Sequence, residues 1–178
     1  MHPRWAIDHA AFAAATSRHV SKRSALAASF IKPGLRVLDL GCGAMVLRGM
    51  LPDGCDYTPS DLWQRHPDIV VADLNGAEFP TGHWDFVTIL GVIEYLDNPS
   101  WVLRTARERA ARLILSCGLW PIVTSRSIRH PEERGQVNYF RKADLTSLLS
   151  RAGWTIERSV SVRRRRSWLM GERLFVCG

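Results

Sequence analysis

Arg36-Val-Leu-Asp-Leu-Gly-Cys-Gly-Ala44 reads as a short apolar strand that stops in an acid and a Gly-x-Gly turn. A short apolar helical run to Leu51 is expected to follow it. A strand feeding a glycine turn and then a helix is how open α/β sheets build a ligand site at the carboxyl end of a strand. The other segments of the chain can be placed relative to that site.

Downstream, Leu51-Pro-Asp-Gly-Cys55 is turn chemistry, and Asp56-Tyr-Thr-Pro-Ser-Asp61 reads as a second strand ended by Pro59. Asp61 lies 20 residues beyond Gly41, the spacing that brings an acid from a second strand onto the ribose of a ligand resting on the first. A third strand, Asp68–Ala72, leads into Asp73-Leu-Asn75. The run Trp84–Leu90 is almost continuously apolar, as in a central parallel strand buried on both faces, and empties into Gly91-Val-Ile-Glu-Tyr-Leu96. Asp97-Asn-Pro-Ser100 starts a helix in which Trp101, Leu103, Ala106, Ala110 and Leu113 share an apolar flank, and Leu113–Cys117 is a fifth strand.

Strands alternating with helices five times predict a parallel sheet with right-handed crossovers. From Gly118 to Tyr139 regularity fades, and a loop of ~20 residues inside a compact domain suits a substrate-contacting lid; it holds Trp120, Arg126, Arg129, His130, Arg134 and Asn138. A helix Lys142–Ala152 closed by Gly153, a strand Trp154–Val162 and a last strand around Leu174–Cys177 complete the chain. Upstream, the alanine-rich residues 1–32 predict one or two helices ended by Lys32-Pro33-Gly34, placed to lie across the top of the sheet as a lid. His9 and His19 there face either a substrate or solvent.

The chain has 178 residues, room for one domain with a single core. One unit over 1–178 is expected, with 34–178 as the sheet core. Its 46% apolar and 23% charged content is that of a globular protein. Cys42, Cys55, Cys117 and Cys177 lack C-x-x-C spacing, so reduced structural thiols in a cytoplasmic protein are expected and no metal site is. No apolar run approaches the ~18–20 residues of a membrane span. Ala10–Ala15 is not read as a signal-peptide core, because Asp8 and His9 interrupt its approach and four basic residues follow within Arg18–Arg23.

The glycine pattern discriminates among ligands. A dinucleotide site needs G-x-G-x-x-G, whereas Val46 stands at the third position here, and no Gly-Lys-Ser/Thr of a phosphate-binding loop follows. Val37-Leu-Asp-Leu-Gly-Cys-Gly43 instead resembles the first motif of class I S-adenosylmethionine-dependent methyltransferases, and Gly91-Val-Ile-Glu-Tyr-Leu resembles the fourth motif of their small-molecule branch, types 11 and 12. The resemblance covers residues 34 to 117 and implies a three-layer Rossmann-like α/β fold: a mostly parallel seven-stranded sheet with an antiparallel last strand.

It further implies S-adenosylmethionine as cofactor. The turn Gly41-Cys42-Gly43 would pass close to its amino acid end, with Asp39 and the backbone of Gly91 and Val92 suiting the ammonium and sulfonium charges. Asp61, with Leu62 beside it, would take the ribose hydroxyls, and Asp73 and Leu74 would flank the adenine. Each acid also has a plainer role: Asp39 in ordering the turn, Asp61 in starting the next segment, Asp73 in an Asx turn.

Methyl transfer from a sulfonium needs alignment above all, so a dedicated base is optional. His130, Glu94 and Tyr95 are base candidates by position; related enzymes often carry histidine where Tyr95 stands. The formal charge is +7, and without the run Arg163–Arg166 it would be +3. That run must sit in a turn or on an exposed edge, solvated or meeting an anion, with Trp168 beside it as a substrate wall or a cap on the core. Sequence-specific nucleic-acid binding is its least favoured role, since no aromatic-interleaved basic stripe accompanies it. The expected partner is a small molecule, anionic if the arginines contact it. RNA or protein methylation, and a non-catalytic adenosyl-ligand-binding or partner-binding domain, stand as alternatives.

Overall fold

The computed structural model describes residues 18–120, 135–162 and 171–178. Seven strands form one sheet: β1 (Arg36–Leu40), β2 (Asp56–Asp61), β3 (Val70–Val71), β4 (Trp84–Leu90), β5 (Ala110–Leu119), β6 (Ile156–Ser161) and β7 (Gly171–Cys177). Their order is β3-β2-β1-β4-β5-β7-β6. The first five are mutually parallel, while β7 runs antiparallel to both β5 and β6. This is the expected Rossmann-like α/β sheet with its antiparallel last strand.

Alternate residues of β1 enter different apolar clusters, as a strand covered on both faces requires. Leu38 and Leu40 join Val87, Ile89, Leu113, Leu115 and Phe175 beneath α2 (Pro99–Arg109) and α3 (Lys142–Arg151). Val37 joins Phe86, Ile114, Leu174 and Val176 beneath α1 (Arg18–Ala28) and the turn after it, through Ala27, Ala28 and Ile31. The α2 helix starts where expected: the Asn98 side chain caps it by accepting from Trp101 N at 3.0 Å, with Pro99 in the first turn. It ends at Arg109, so Ala110 and Leu113 belong to β5 rather than to a helical flank, and Val102, Leu103 and Ala106 are the buried positions. Trp154 closes this layer by donating its indole N–H to Leu103 O at 2.9 Å. Gly153 at φ +86° turns the chain out of α3.

Several expectations are corrected. The apolar run after Gly43 is not an α-helix; turns lead to one 3-10 turn, Arg48–Met50. Gly41, Gly43 and Met45 all have positive φ, which leaves too few residues before Pro52 to nucleate a helix. Helices therefore do not alternate with strands five times. Within the described residues, α2 joins β4 to β5 and α3 lies between β5 and β6, while the β1–β2, β2–β3 and β3–β4 connections hold turns and 3-10 helices.

Pro59 sits inside β2 rather than ending it. Ser60 O faces β1, where it accepts from Gly41 N, so the alternating Pro59 faces away from β1, beyond the reach of the two-residue β3. Strand β3 is shorter than Asp68–Ala72, and β5 is longer than Leu113–Cys117 because β7 pairs along it up to Leu119. Of the expected lid, residues 1–17 lie outside the described residues.

Candidate functional site

Two glycine turns meet at the carboxyl ends of β1 and β4. Gly41 and Gly91 both have φ +72°, a conformation that disfavours side chains. A Cβ on Gly41 would overlap Val92 Cγ2, and one on Gly91 would overlap Arg23 Nη1. The absence of side chains lets the two turns touch and lets α1 lay an arginine over the second. Gly41 N and Cys42 N donate to Ser60 O at 2.8 and 3.0 Å, while Gly91 N donates to Ser116 O at 3.1 Å. Each turn is thereby tied to the next strand across.

The three acids expected at the site stand at successive strand ends. Asp39 is buried on β1 and accepts from Thr88 Oγ1 at 2.6 Å and Tyr57 Oη at 2.7 Å. Burial pushes its carboxyl up to about 6, against the pull of these two hydroxyls and of Arg23. Asp61 ends β2: its Oδ2 accepts from Gly43 N at 2.9 Å, and its Oδ1 accepts from Trp63 N at 3.3 Å and faces Arg65 Nη1 at 3.5 Å. The second acid thus holds the glycine turn of the first strand.

Asp73 follows β3 and forms the Asx turn of its plainer role, accepting from Asn75 N at 2.9 Å. Asn75 then joins that turn to the segment after β4, donating to Tyr95 O at 3.1 Å and accepting from Asp97 N at 2.8 Å. Leu74 packs against the α2–α3 core, and Leu62 is half-buried beyond Asp61. Cys42 is buried and its thiol is pushed far up by burial, so it serves packing rather than nucleophilic chemistry.

Glu94 and Tyr95 occupy a 3-10 turn, Ile93–Tyr95, two residues past Gly91. Glu94 is buried; its Oε1 accepts from Gly118 N at 2.8 Å, and its Oε2 has no partner among the described residues. Burial raises its carboxyl too. Its main-chain oxygen accepts from Val137 N and Asn138 N at 2.9 and 3.0 Å, and the Asn138 side chain donates to Ile93 O and Leu96 O. The segment leading into α3 is thereby fastened to the turn after β4. Trp120 and Tyr139 stand edge to face there, 5.3 Å between ring centres. His130, Arg163–Arg166, Trp168 and His9 lie outside the described residues.

Several site residues were missed in the sequence. Arg23 reaches from α1 over Gly91 and pairs with Glu172 on β7 at 3.3 Å, both side chains largely buried. Separated by 149 positions, the pair leaves no local pattern. Thr88 did leave a signal: it is the single uncharged polar residue in the apolar run Trp84–Leu90, and it points at Asp39.

A sequence profile described as a methyltransferase domain matches residues 9–159. No curated protein matches the chain. Among solved structures, the [4+2]-cyclase SpnF is similar with a TM-score of 0.68 at 14% identity, covering 89% of this chain and 79% of that one. The 1,6-didemethyltoxoflavin-N1-methyltransferase of Burkholderia thailandensis, solved with bound 1,6-didemethyltoxoflavin and S-adenosylhomocysteine, has a TM-score of 0.68 at 17% identity, with coverages of 94% of this chain and 83% of that one. An S-adenosylmethionine-dependent methyltransferase from Aquifex aeolicus has 0.64 at 16%, with coverages of 96% and 98%. At such identities these likenesses speak for the shared sheet alone. Together with the profile, which spans most of the sequence and both glycine turns, they place this chain in the class I methyltransferase family.

Proposed function

We propose that the chain binds S-adenosylmethionine across the carboxyl ends of β1, β2 and β4 and transfers its methyl group to a small-molecule acceptor. The supporting observation is the conjunction of two positive-φ glycine turns with the acids Asp39, Asp61 and Asp73 on consecutive strand ends. These residues fit such a ligand: it carries no phosphate, so two glycines suffice, and its cationic groups suit buried carboxylates. When bound, the cofactor supplies an electrophilic methyl carbon on a sulfonium.

The chain's own residues do the positioning. Asp61 presents acceptor lone pairs to a ribose diol while holding the Gly43 amide, so the glycine turn is set before a ligand arrives. Leu62 packs beside it, and Asp73 with Leu74 frames the adenine side. Cys42, between the two glycines, is the buried floor of the turn. The backbone of Gly91 and Val92 lies opposite Gly41, closing the groove at its amino acid end. Alignment of this kind can lower a displacement barrier by roughly 7–11 kcal/mol. Glu94, Tyr95 and His130 remain our candidates for handling the acceptor's proton, and Trp120 with Tyr139 gives the acceptor side an aromatic wall.

A protein named as a [4+2]-cyclase shares this fold, so the fold does not by itself imply methyl transfer, and a non-catalytic adenosyl-ligand-binding or partner-binding domain is the second reading. We extend the proposal to one functional domain over 1–178 working in the cytoplasm; among the described residues no helix is long and apolar enough to cross a membrane. Titration calorimetry with S-adenosylmethionine and its demethylated product tests the cofactor assignment, and release of radiolabelled methyl onto an acceptor panel separates the two readings. Failure of the intact chain to bind either ligand at millimolar concentration rules out methyl transfer and adenosyl-ligand binding alike.

A further inference from the structure

A cleft of about 440 Å³ opens at the end of the sheet opposite the glycine turns. One wall is the turn that follows α1; the other is the sheet where β5 and β6 begin and β7 ends. Phe30, Ile31 and Val176 give it an apolar floor, while Lys32, Arg112 and Arg158 bring three cations against the one carboxylate of Glu157. Six steps of β5, roughly 20 Å at the rise of a strand, separate Arg112 here from Gly118 at the other end. The cleft is therefore distinct from the groove between Gly41 and Gly91.

Successive residues of a strand point to opposite faces, so Glu157 and Arg158 should not line one cleft. A β-bulge brings them together: Ile156 lies opposite Cys177 and Arg158 opposite Val176, which leaves Glu157 as the extra residue. Gly178 makes room for it, since a Cβ there would overlap Glu157 Oε1. Glu157 thereby reaches Arg112, whose Nη2 donates to Glu157 Oε2 while its guanidinium lies over the Phe86 ring, 5.4 Å from the centre. Arg112 is thus fixed and its charge offset. The side chains of Lys32 and Arg158 are exposed and have no ion pair or hydrogen bond among the described residues. The carbonyl end of α1 does not occupy Lys32 either. Its last four carbonyls, those of Ala25, Leu26, Ala27 and Ala28, accept from Ser29 N, Ser29 Oγ, Phe30 N and Ile31 N. Two cations thus line the cleft without an internal counter-charge among the described residues.

We propose that this cleft is a second ligand site, for a small organic dianion of the phosphate monoester class: Lys32 and Arg158 take the head, and Phe30, Ile31 and Val176 take an apolar body. The volume is that of small-molecule sites, which sets the size of the occupant. Three cations against one carboxylate favour a doubly charged head over a singly charged one. The apolar floor favours an organic ester over the bare ion. The site shares no lining residue with the cofactor groove, so it stands whether or not the cofactor assignment does, and both can be filled together.

The test is an amide NMR titration of the full chain with phenyl phosphate, inorganic phosphate and benzyl alcohol. Phenyl phosphate is expected to give saturable shifts at Lys32 and Arg158 at millimolar concentration or below; inorganic phosphate should bind about tenfold more weakly, and benzyl alcohol should not saturate. Lys32→Gln combined with Arg158→Gln should weaken phenyl phosphate about tenfold or more. Arg141→Gln combined with Lys142→Gln, which removes two exposed cations at the start of α3, should leave its affinity within about twofold. No saturable shift at these amides, or equal weakening in both double variants, overturns the site. Inorganic phosphate binding as tightly as phenyl phosphate shows an adventitious ion only and overturns the organic ligand. Pelleting of the intact chain with phosphatidic acid vesicles, lost in the Lys32 and Arg158 double variant, places the head on a lipid and overturns the soluble one.

Discussion

The two halves of the cleft are built differently. The half formed by β1, β2 and β3 is local: the Gly41–Gly43 turn, the acid two residues before it, and acids at the next two strand ends, each held by bonds to neighbouring backbone or an adjoining strand. The half formed by β4, β5 and β7 is assembled over long range, with Glu94 on Gly118, Asn138 on Ile93 and Leu96, and Arg23 on Glu172. The first half depends on backbone conformation, the second on buried polar groups meeting across the fold. Their failures should therefore differ in kind: strain in the first, unsatisfied or misplaced charge in the second.

The largest effect that joins the halves is a dependence of stability on pH. The Asp39 carboxyl titrates near 3.8 when unfolded and near 6 when folded. Between those values the native state binds more protons than the unfolded chain, so this group's contribution falls as pH rises through the window and is level above it. The change is about 3 kcal/mol for a shift of that size. Urea unfolding from pH 4 to 7 should show the slope, and Asp39→Asn should reduce it, the buried Glu94 carboxyl retaining a contribution of the same sign; an unchanged slope would break the claim that the burial of Asp39 contributes to it.

Next is Gly41→Ala, which forces a side chain into φ +72° and onto Val92, at a cost of about 2 kcal/mol. Gly49→Ala is the control, because its position is open and without positive φ; it should shift the urea midpoint by no more than a few tenths of a kcal/mol. Equal losses in both would sink the distinction between strained and ordinary turns. In the other half, Asn138→Ala removes the donor to Ile93 O and Leu96 O and should cost about 1–2 kcal/mol, with faster amide exchange at Val137 as its local signature. Smallest among the substitutions that break a contact is Arg48→Met, which removes an exposed ion pair with Asp68 and should stay within about 0.5 kcal/mol.

What could be read from the sequence follows the same division. The strand Arg36–Leu40 with its turn, the apolar β4, the capped start of α2 and the acid spacing from Gly41 to Asp61 are all written within a few residues or at a known interval, and the structure has them in place. The missing helix after Gly43 was hidden because apolar residues at Val46, Leu47 and Met50 fit a helix as well as a turn. The left-handed conformation of Met45, which ends the matter, is a tertiary outcome. Arg23 and Glu172 carry no local signal of their pairing, and only the sheet order that places β7 beside β5 buries them together. Glu94 was visible as a motif residue, whereas its enclosure came from β5 and the segment before α3.

The most direct measurement is a calorimetric titration of the intact chain and of Asp61→Ala with S-adenosylmethionine. One-to-one binding by the intact chain, weakened about 100-fold or more by the substitution with the folded state retained by circular dichroism, is the predicted result. Binding of equal strength in both proteins would contradict a cofactor site anchored at the end of β2.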